Sequence, residues 1–337
     1  RGKVVHTDFP KVGDFDCGNR LINQIHKNSV WGFRTNWHSI PTDCPQRDER
    51  QGWMGDAHMT ADMGMYNYDA AAANIKFLQD IADSQREDGA VPDTVPHIWG
   101  TNPGDPMWSA AYHIICWDTY RHTGDLDLLR RHFDGLKRYV DMLEREADGY
   151  IITRNNYGDW VGVVETPKDL ISTGSFILVA RIVAKAAEAL GQDEDLKKYQ
   201  LLAAKVAEAF NERFLNLDDN VYGNGSQYSY VWPLYLGIVP ESRRQAVAAN
   251  LAQDIMENHN GHLSTGFMGA RYLFEVLCNE GYADVAYTVV TQKDYPSYGY
   301  MIEMGATTIW ELWKYETGGD MNSHNHPAFG FISGWFF

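Results

Sequence analysis

Basic residues are scarce. The 337-residue chain carries 29 Lys and Arg against 45 Asp and Glu, and its pI is near 5.1. Nucleic acid and anionic membrane surfaces both need a basic face, so neither is expected as a partner. Cysteine is sparser still: Cys17, Cys44, Cys116 and Cys278 are scattered, with no CxxC spacing. That pattern gives neither a zinc site nor a disulfide framework, so buried or neutral thiols are expected. The histidines lack the HxxxH spacing of helical metal ligands, and no metal or cofactor is expected. No self-similarity at a fixed period is visible, which counts against an open helical solenoid. No apolar run reads as long enough to cross a membrane, and no leader is recognisable. The chain opens on Arg1 and closes on Gly-Trp-Phe-Phe, as a piece of a longer protein would, so a missing leader carries no weight.

Aromatic residues, by contrast, are abundant. They make up 13% of the chain, with 11 Trp and 19 Tyr, and hydrophobic residues reach 44%. Such a chain can bury a large core, and aromatic faces also pack against the C–H faces of sugar rings. A carbohydrate ligand is one economical reading of that surplus; helix–helix packing accounts for the rest.

The most unusual stretch is DCPQRDERQGWMGD, residues 43–56. It holds six charged side chains and one Trp in fourteen residues, with no lysine and no apolar stripe. Pro45 disfavours helix at its start, and Gly52 and Gly55 are expected to loosen the backbone within it. A solvated turn has no reason to hold Trp53 or to crowd Asp43, Asp48, Glu49 and Asp56 together. A site that works by acid–base chemistry does, because crowding pushes carboxyl pKa values apart.

Around this stretch the chain reads as about twelve helices with few strands. Helices are expected over residues 17–33, 57–68, 70–85 (capped by Asp69), 108–120, 125–146 (capped by Asp125), 175–190, 195–214, 228–236, 240–257, 265–279, 283–292 and 327–335. Three long loops interrupt them, at 91–106, 149–169 and 293–325, and loops of that length in compact domains are commonly functional. Residues 57–68, rich in Met, Ala and Tyr, look buried on most faces, whereas 125–146 shows one apolar stripe. A closed double ring of six inner and six outer helices fits both patterns. The expected fold class is therefore all-α, an (α/α)6 barrel, in a single domain over 1–337 with 1–15 as an extended lead-in.

Glycosidic cleavage needs two carboxyl groups flanking the bond. The third loop offers the second one, in GATTIWELWKYETGGD, where Glu311 lies between Trp310 and Trp313, with Glu303 and Glu316 nearby. An aromatic sleeve around Glu311 is expected to raise its pKa and suit it to base work.

The runs DCPQRDERQGWMGD, YGDWVGVVETPKDL, HLSTGFMGARYL, YPSYGYMIEMGATTIWELW and SHNHPAFG occur here in that order. Together they resemble the bacterial α-L-rhamnosidases of glycoside hydrolase family 78, over roughly residues 15–337. The resemblance implies an (α/α)6 barrel and hydrolysis with inversion at the anomeric carbon of a rhamnose-containing glycoside. It implies Glu49 as general acid and Glu311 as general base. Asp43 and Asp56 would hold sugar hydroxyls, and Arg47 would partner a hydroxyl or a carboxylate. Trp53, Trp108 and Trp160 would line the pocket as an apolar wall, joined by His326. It assigns no role to Asp48. The short loop between Glu311 and His326 departs from relatives with longer insertions, and the family's flanking β-sandwich domains are not expected within this chain. The alternatives are another glycosidase or an unsaturated uronyl hydrolase on the same barrel, a carbohydrate-binding homologue without catalysis, and a helical scaffold for protein partners.

Overall fold

The structure is a computed structural model that describes residues 3–318 and 322–337. Residues 1–2 of the lead-in and 319–321 of the third loop lie outside the described residues. Among the described residues, fourteen α-helical segments occur in order: α1 (Arg20–Thr35), α2 (Met54–Asn67), α3 (Ala71–Ser84), α4 (Pro106–Ser109), α5 (Ala111–Thr123), α6 (Leu126–Glu146), α7 (Lys168–Leu190), α8 (Asp193–Phe214), α9 (Gln227–Tyr235), α10 (Glu241–Gln253), α11 (Phe267–Asn279), α12 (Ala283–Val290), α13 (Tyr298–Glu303) and α14 (Ile332–Trp335). A 3-10 turn over Ala328–Phe331 leads directly into α14.

Six of these pieces close a ring. Helix α2 packs on α5, α5 on α7, α7 on α9, α9 on α11, α11 on the 328–335 segment, and that segment packs back on α2. Helices α1, α3, α6, α8, α10 and α12 lie outside, each against an inner neighbour, as an (α/α)6 barrel requires. The sequence separates the two layers by how many faces each helix must bury. Outer α6 buries one stripe that includes Leu128, Leu129, Leu136, Tyr139, Val140 and Leu143. Inner α2 buries eleven of its fourteen residues, polar Asp56 and His58 among them.

Helix α7 corrects the expectation about membrane-length runs. Its 23 residues, with a mean hydropathy of 1.6 over the best window, are long and apolar enough to cross a membrane by length and composition. An inner helix is surrounded on every side, and 83% of that window is buried inside the protein. The helix also starts at Lys168 rather than Ser175. Ser175 lies within the helix, its hydroxyl donating to the Ile171 carbonyl one turn back.

Three smaller expectations also change. Ala70, not Asp69, occupies the N-cap of α3; the exposed Asp69 uses its backbone N–H on the Pro10 carbonyl instead. The third loop contains α13, whose start is capped by the Ser297 hydroxyl accepting from the Tyr300 N–H. The helix read over 108–120 is two pieces, α4 and α5, because Asp105 caps a separate first turn through Met107 and Trp108. Asp125 does cap α6, accepting from the Asp127 and Leu128 amides.

Candidate active site

The N-terminal ends of the inner helices share one mouth of the ring. Trp53 is the N-cap residue of α2 and Asp56 lies in its first turn. Trp108 sits on α4, just ahead of α5; Phe267 opens α11, and His326 immediately precedes the closing segment. These residues line a single cavity of about 330 Å³ with Asp43, Arg47, Glu49, Trp99, Tyr157, Trp160, Glu311 and Asn322. All nine residues named from the sequence therefore meet in one place. Trp99, Tyr157, Phe267 and Asn322 complete the lining and were not named.

The acidic stretch is folded into a tight loop. The Asp43 N–H donates to the Gln51 carbonyl at 3.1 Å, and the Gln51 N–H donates to Asp43 Oδ1 at 2.7 Å. Glu49 is carried on that loop, and Trp53 Nε1–H donates to its Oε1 at 2.9 Å. The two glycines do not loosen the backbone as expected; they permit close approach. A Cβ on Gly52 would lie 2.1 Å from the Val95 carbonyl oxygen, and one on Gly55 would lie 2.5 Å from the Trp108 indole.

Glu311 is buried opposite, in the third loop. Its Oε1 accepts from Trp160 Nε1–H at 3.2 Å and its Oε2 from the Ser323 N–H at 2.9 Å. Trp310 and Trp313 do not supply the expected sleeve. Trp310 stacks on His324, while Trp313 packs on Phe329 and donates to the Thr265 carbonyl. The half-exposed Arg47 links the two glutamates, with Nε 3.7 Å from Glu49 Oε2 and Nη1 3.7 Å from Glu311 Oε2. Glu303 ends α13 exposed, Glu316 pairs with Lys314, and Asp48 pairs with Arg50; none of the three lines the cavity.

At the floor, two carboxylates and a histidine share one charge cluster. Burial pushes the Asp43 carboxyl up to about 6, and the nearby negative charge of Asp56 adds to the rise. His326 Nε2 stands 2.9 Å from Asp56 Oδ1. Burial alone would lower the ring's pKa, but Asp56, Glu311 and Asp43 outweigh it and push it up to about 9. The Ala328 N–H approaches Nδ1 at 3.4 Å, a long contact that three surrounding carboxylates override.

An aromatic wall closes the sides, and Tyr157 is its hub. Its ring packs edge-on to Trp53 at 5.7 Å and to Trp160 at 6.2 Å, and tilted on Trp108 at 4.6 Å. Three buried aspartates outside the cavity hold this wall in place. Asp93 accepts from the Tyr157 hydroxyl at 2.7 Å, and Asp105 accepts from the Asn156 N–H at 2.7 Å. Asp159 accepts the Gly266, Met268 and Gly269 amides at the start of α11, which fixes the adjoining Trp160. Tyr157 lies within the second long loop, and Trp99 within the first; loop membership was the signal that could have found both.

Asp43, Cys44 and Glu49 also bring possible ligand atoms within 4.8 Å of one another. Burial and the neighbouring Asp43 push the Cys44 thiol up to about 12, so it stays protonated near neutral pH.

Known proteins show the same arrangement of chain. Alpha-L-rhamnosidases of Streptomyces avermitilis and Formosa agariphila are 36% and 34% identical to it, each across 100% of this chain. The match covers 33% and 38% of their own lengths, so the chain spans about a third of the curated relatives it matches. The solved alpha-L-rhamnosidase from Dictyoglumus thermophilum superposes with a TM-score of 0.96 at 46% identity, over 99% of this chain and 39% of that one. The Streptomyces avermitilis alpha-L-rhamnosidase complexed with L-rhamnose superposes with a TM-score of 0.95 at 35% identity, over 99% and 33%. Residues 10–337 match the family model of the bacterial alpha-L-rhamnosidase 6 hairpin glycosidase domain, and the chain belongs to that family.

Proposed function

We propose that this chain carries the catalytic centre of an inverting glycoside hydrolase that releases terminal α-L-rhamnose from glycosides or polysaccharide side chains. The observation that carries the reading is the pairing of Glu49 and Glu311 across one cavity, with Arg47 between them. The family membership and the L-rhamnose in the Streptomyces avermitilis structure point to the sugar. The whole of residues 1–337 is read as one catalytic unit, because the ring closes only when the 328–335 segment returns to α2.

In this reading the reaction is a single displacement. Glu49, protonated, gives its proton to the glycosidic oxygen as the bond from that oxygen to the anomeric carbon breaks. Glu311, ionised, takes a proton from a water on the opposite face as the water oxygen bonds to the same carbon. The two Arg47 contacts and the width of a guanidinium put the carboxylates within roughly 10 Å of each other, an upper bound that includes the separation inversion needs. Trp160 and the Ser323 amide fix the base, and Trp53 fixes the acid. Asp43 and Asp56 accept sugar hydroxyls, with His326 holding Asp56 in place. Trp53, Trp108 and Trp160, joined by Tyr157, give the 6-deoxy methyl an apolar wall.

The test is a substrate panel. Turnover of p-nitrophenyl α-L-rhamnoside, with the matching glucosides and unsaturated uronides inert, is the expected result. Preference for either of the other classes rejects the assignment.

A further inference from the structure

The catalytic cavity has a buried floor and a half-exposed rim, and the rim holds an unexplained apolar side chain, Trp99. Asp43, Asp56, Trp108 and His326 are buried, whereas Trp99 is 50% exposed. A large indole left in water at a cavity mouth loses the apolar burial that a ring normally gains. We propose that Trp99 is the platform on which the leaving group of the substrate rests. It forms a subsite for a flat apolar face, presented by an aryl ring or by a second sugar.

The geometry ties this platform to the acid rather than to the base. Trp53, whose indole holds Glu49, pairs with Thr94 in an isolated antiparallel bridge. The Thr94 hydroxyl accepts the Ile98 and Trp99 amides at 3.3 Å each and donates to the Trp99 carbonyl at 2.7 Å. Glu49, Trp53, Thr94 and Trp99 thus belong to one short mechanical chain. Glu311 is anchored elsewhere, on Trp160 and Ser323. The acid's proton goes to the oxygen that departs, so the departing group lies on the Glu49 side of the sugar. Among the described residues, the exposed indole fastened to that side is Trp99.

The platform is held ready. Asp93 accepts from the Thr101 N–H at 2.6 Å, the Asp105 N–H at 2.6 Å and the Tyr157 hydroxyl at 2.7 Å, which pins the loop behind Trp99 to the aromatic wall. A ring fixed before binding loses little conformational freedom when a flat group stacks on it. A methyl leaving group is too small to reach or cover an indole face, so its cleavage is independent of Trp99.

This inference rests on the reading of Glu49 as general acid, and Trp99→Ala tests it. The measured quantities are kcat/KM on p-nitrophenyl α-L-rhamnoside, on a rhamnosyl-glucose disaccharide and on methyl α-L-rhamnoside, together with the inhibition constant of free L-rhamnose. A fall of about ten-fold on a flat leaving group, carried mainly by KM, is expected for loss of one aromatic stack. Methyl α-L-rhamnoside and rhamnose inhibition should stay within about two-fold of wild type, and Trp99→Tyr should restore most of the loss. A loss confined to the aryl substrate assigns the platform to aryl rings, and one confined to the disaccharide assigns it to sugars. Equal losses on all three substrates, weaker rhamnose inhibition, or no loss at all overturns the proposal. If wild-type protein cleaves none of the three, the rhamnosidase reading itself fails, and that is visible before any variant is made.

Discussion

Trp53 Nε1–H donates to Glu49 Oε1 at 2.9 Å, so the residue at the N-cap position of the first inner helix also holds the proposed acid. Its ring simultaneously packs on Tyr157 in the aromatic wall. Trp53→Phe keeps an aromatic ring and removes the donor. A hydrogen bond to an ionisable group contributes on the order of 1.5–3 kcal/mol, so kcat/KM should fall roughly ten- to hundred-fold. The melting temperature should barely move. Steady-state kinetics beside a thermal melt checks both; unchanged kinetics would mean Glu49 is placed by other contacts.

Asp43 is a stability cost that the site retains. Its folded pKa, about 6, exceeds the ordinary 3.8, so the folded state prefers the neutral acid. Stability from this group is complete below about pH 4 and is lost as pH rises through about 6, leaving a penalty on the order of 1–3 kcal/mol at neutral pH. Asp43→Asn keeps an acceptor for the Gln51 amide and removes the charge facing Asp56. It should raise the melting temperature at pH 7 while lowering activity by about a hundred-fold or more. A variant that is both less stable and fully active would refute this account of Asp43.

His326 carries the same sign through a different cause. Its folded pKa, raised to about 9 by the surrounding carboxylates against an ordinary 6.5, gives stability that is complete below about pH 6.5 and lost as pH rises through about 9. The loss should be on the order of 3 kcal/mol across that window. Denaturant midpoints measured from pH 6 to 10 should decline for wild type, and the decline should be shallower for His326→Gln.

Gly55→Ala probes the packing of α2 on α4. The added methyl would lie 2.5 Å from the Trp108 indole, which is itself buried and cannot swing into solvent. Overpacking of this kind costs about 1–3 kcal/mol, and the displaced indole should raise KM. A thermal melt and a KM determination read the two effects separately.

Much of this was legible in the residues, for identifiable reasons. The all-round apolar pattern of α2 and the single stripe of α6 reveal inner and outer layers, because a ring imposes different burial on each. The charge crowding at 43–56 is local, and so was readable. What could not be read were the consequences of distant contacts. Glu311 takes its donors from Trp160 and Ser323, while its chain neighbours Trp310 and Trp313 pack elsewhere. Tyr157 becomes the hub of the wall only once Trp53 at the start of α2, Trp108 on α4 and Trp160 from its own loop converge on it. Helix α13 is a bare turn and a half, too short to show a period, and the apolar run of α7 gives no hint that neighbours will cover it.

The central claim is a single displacement between Glu49 and Glu311, and proton NMR of the first sugar released from an α-L-rhamnoside tests it most directly. Inversion predicts that β-L-rhamnose appears first and that the α-anomer grows in afterwards by mutarotation. Early appearance of α-L-rhamnose would mean retention, with two carboxyl groups only about 5 Å apart, and would contradict the assignment of Glu311 as the base that activates water.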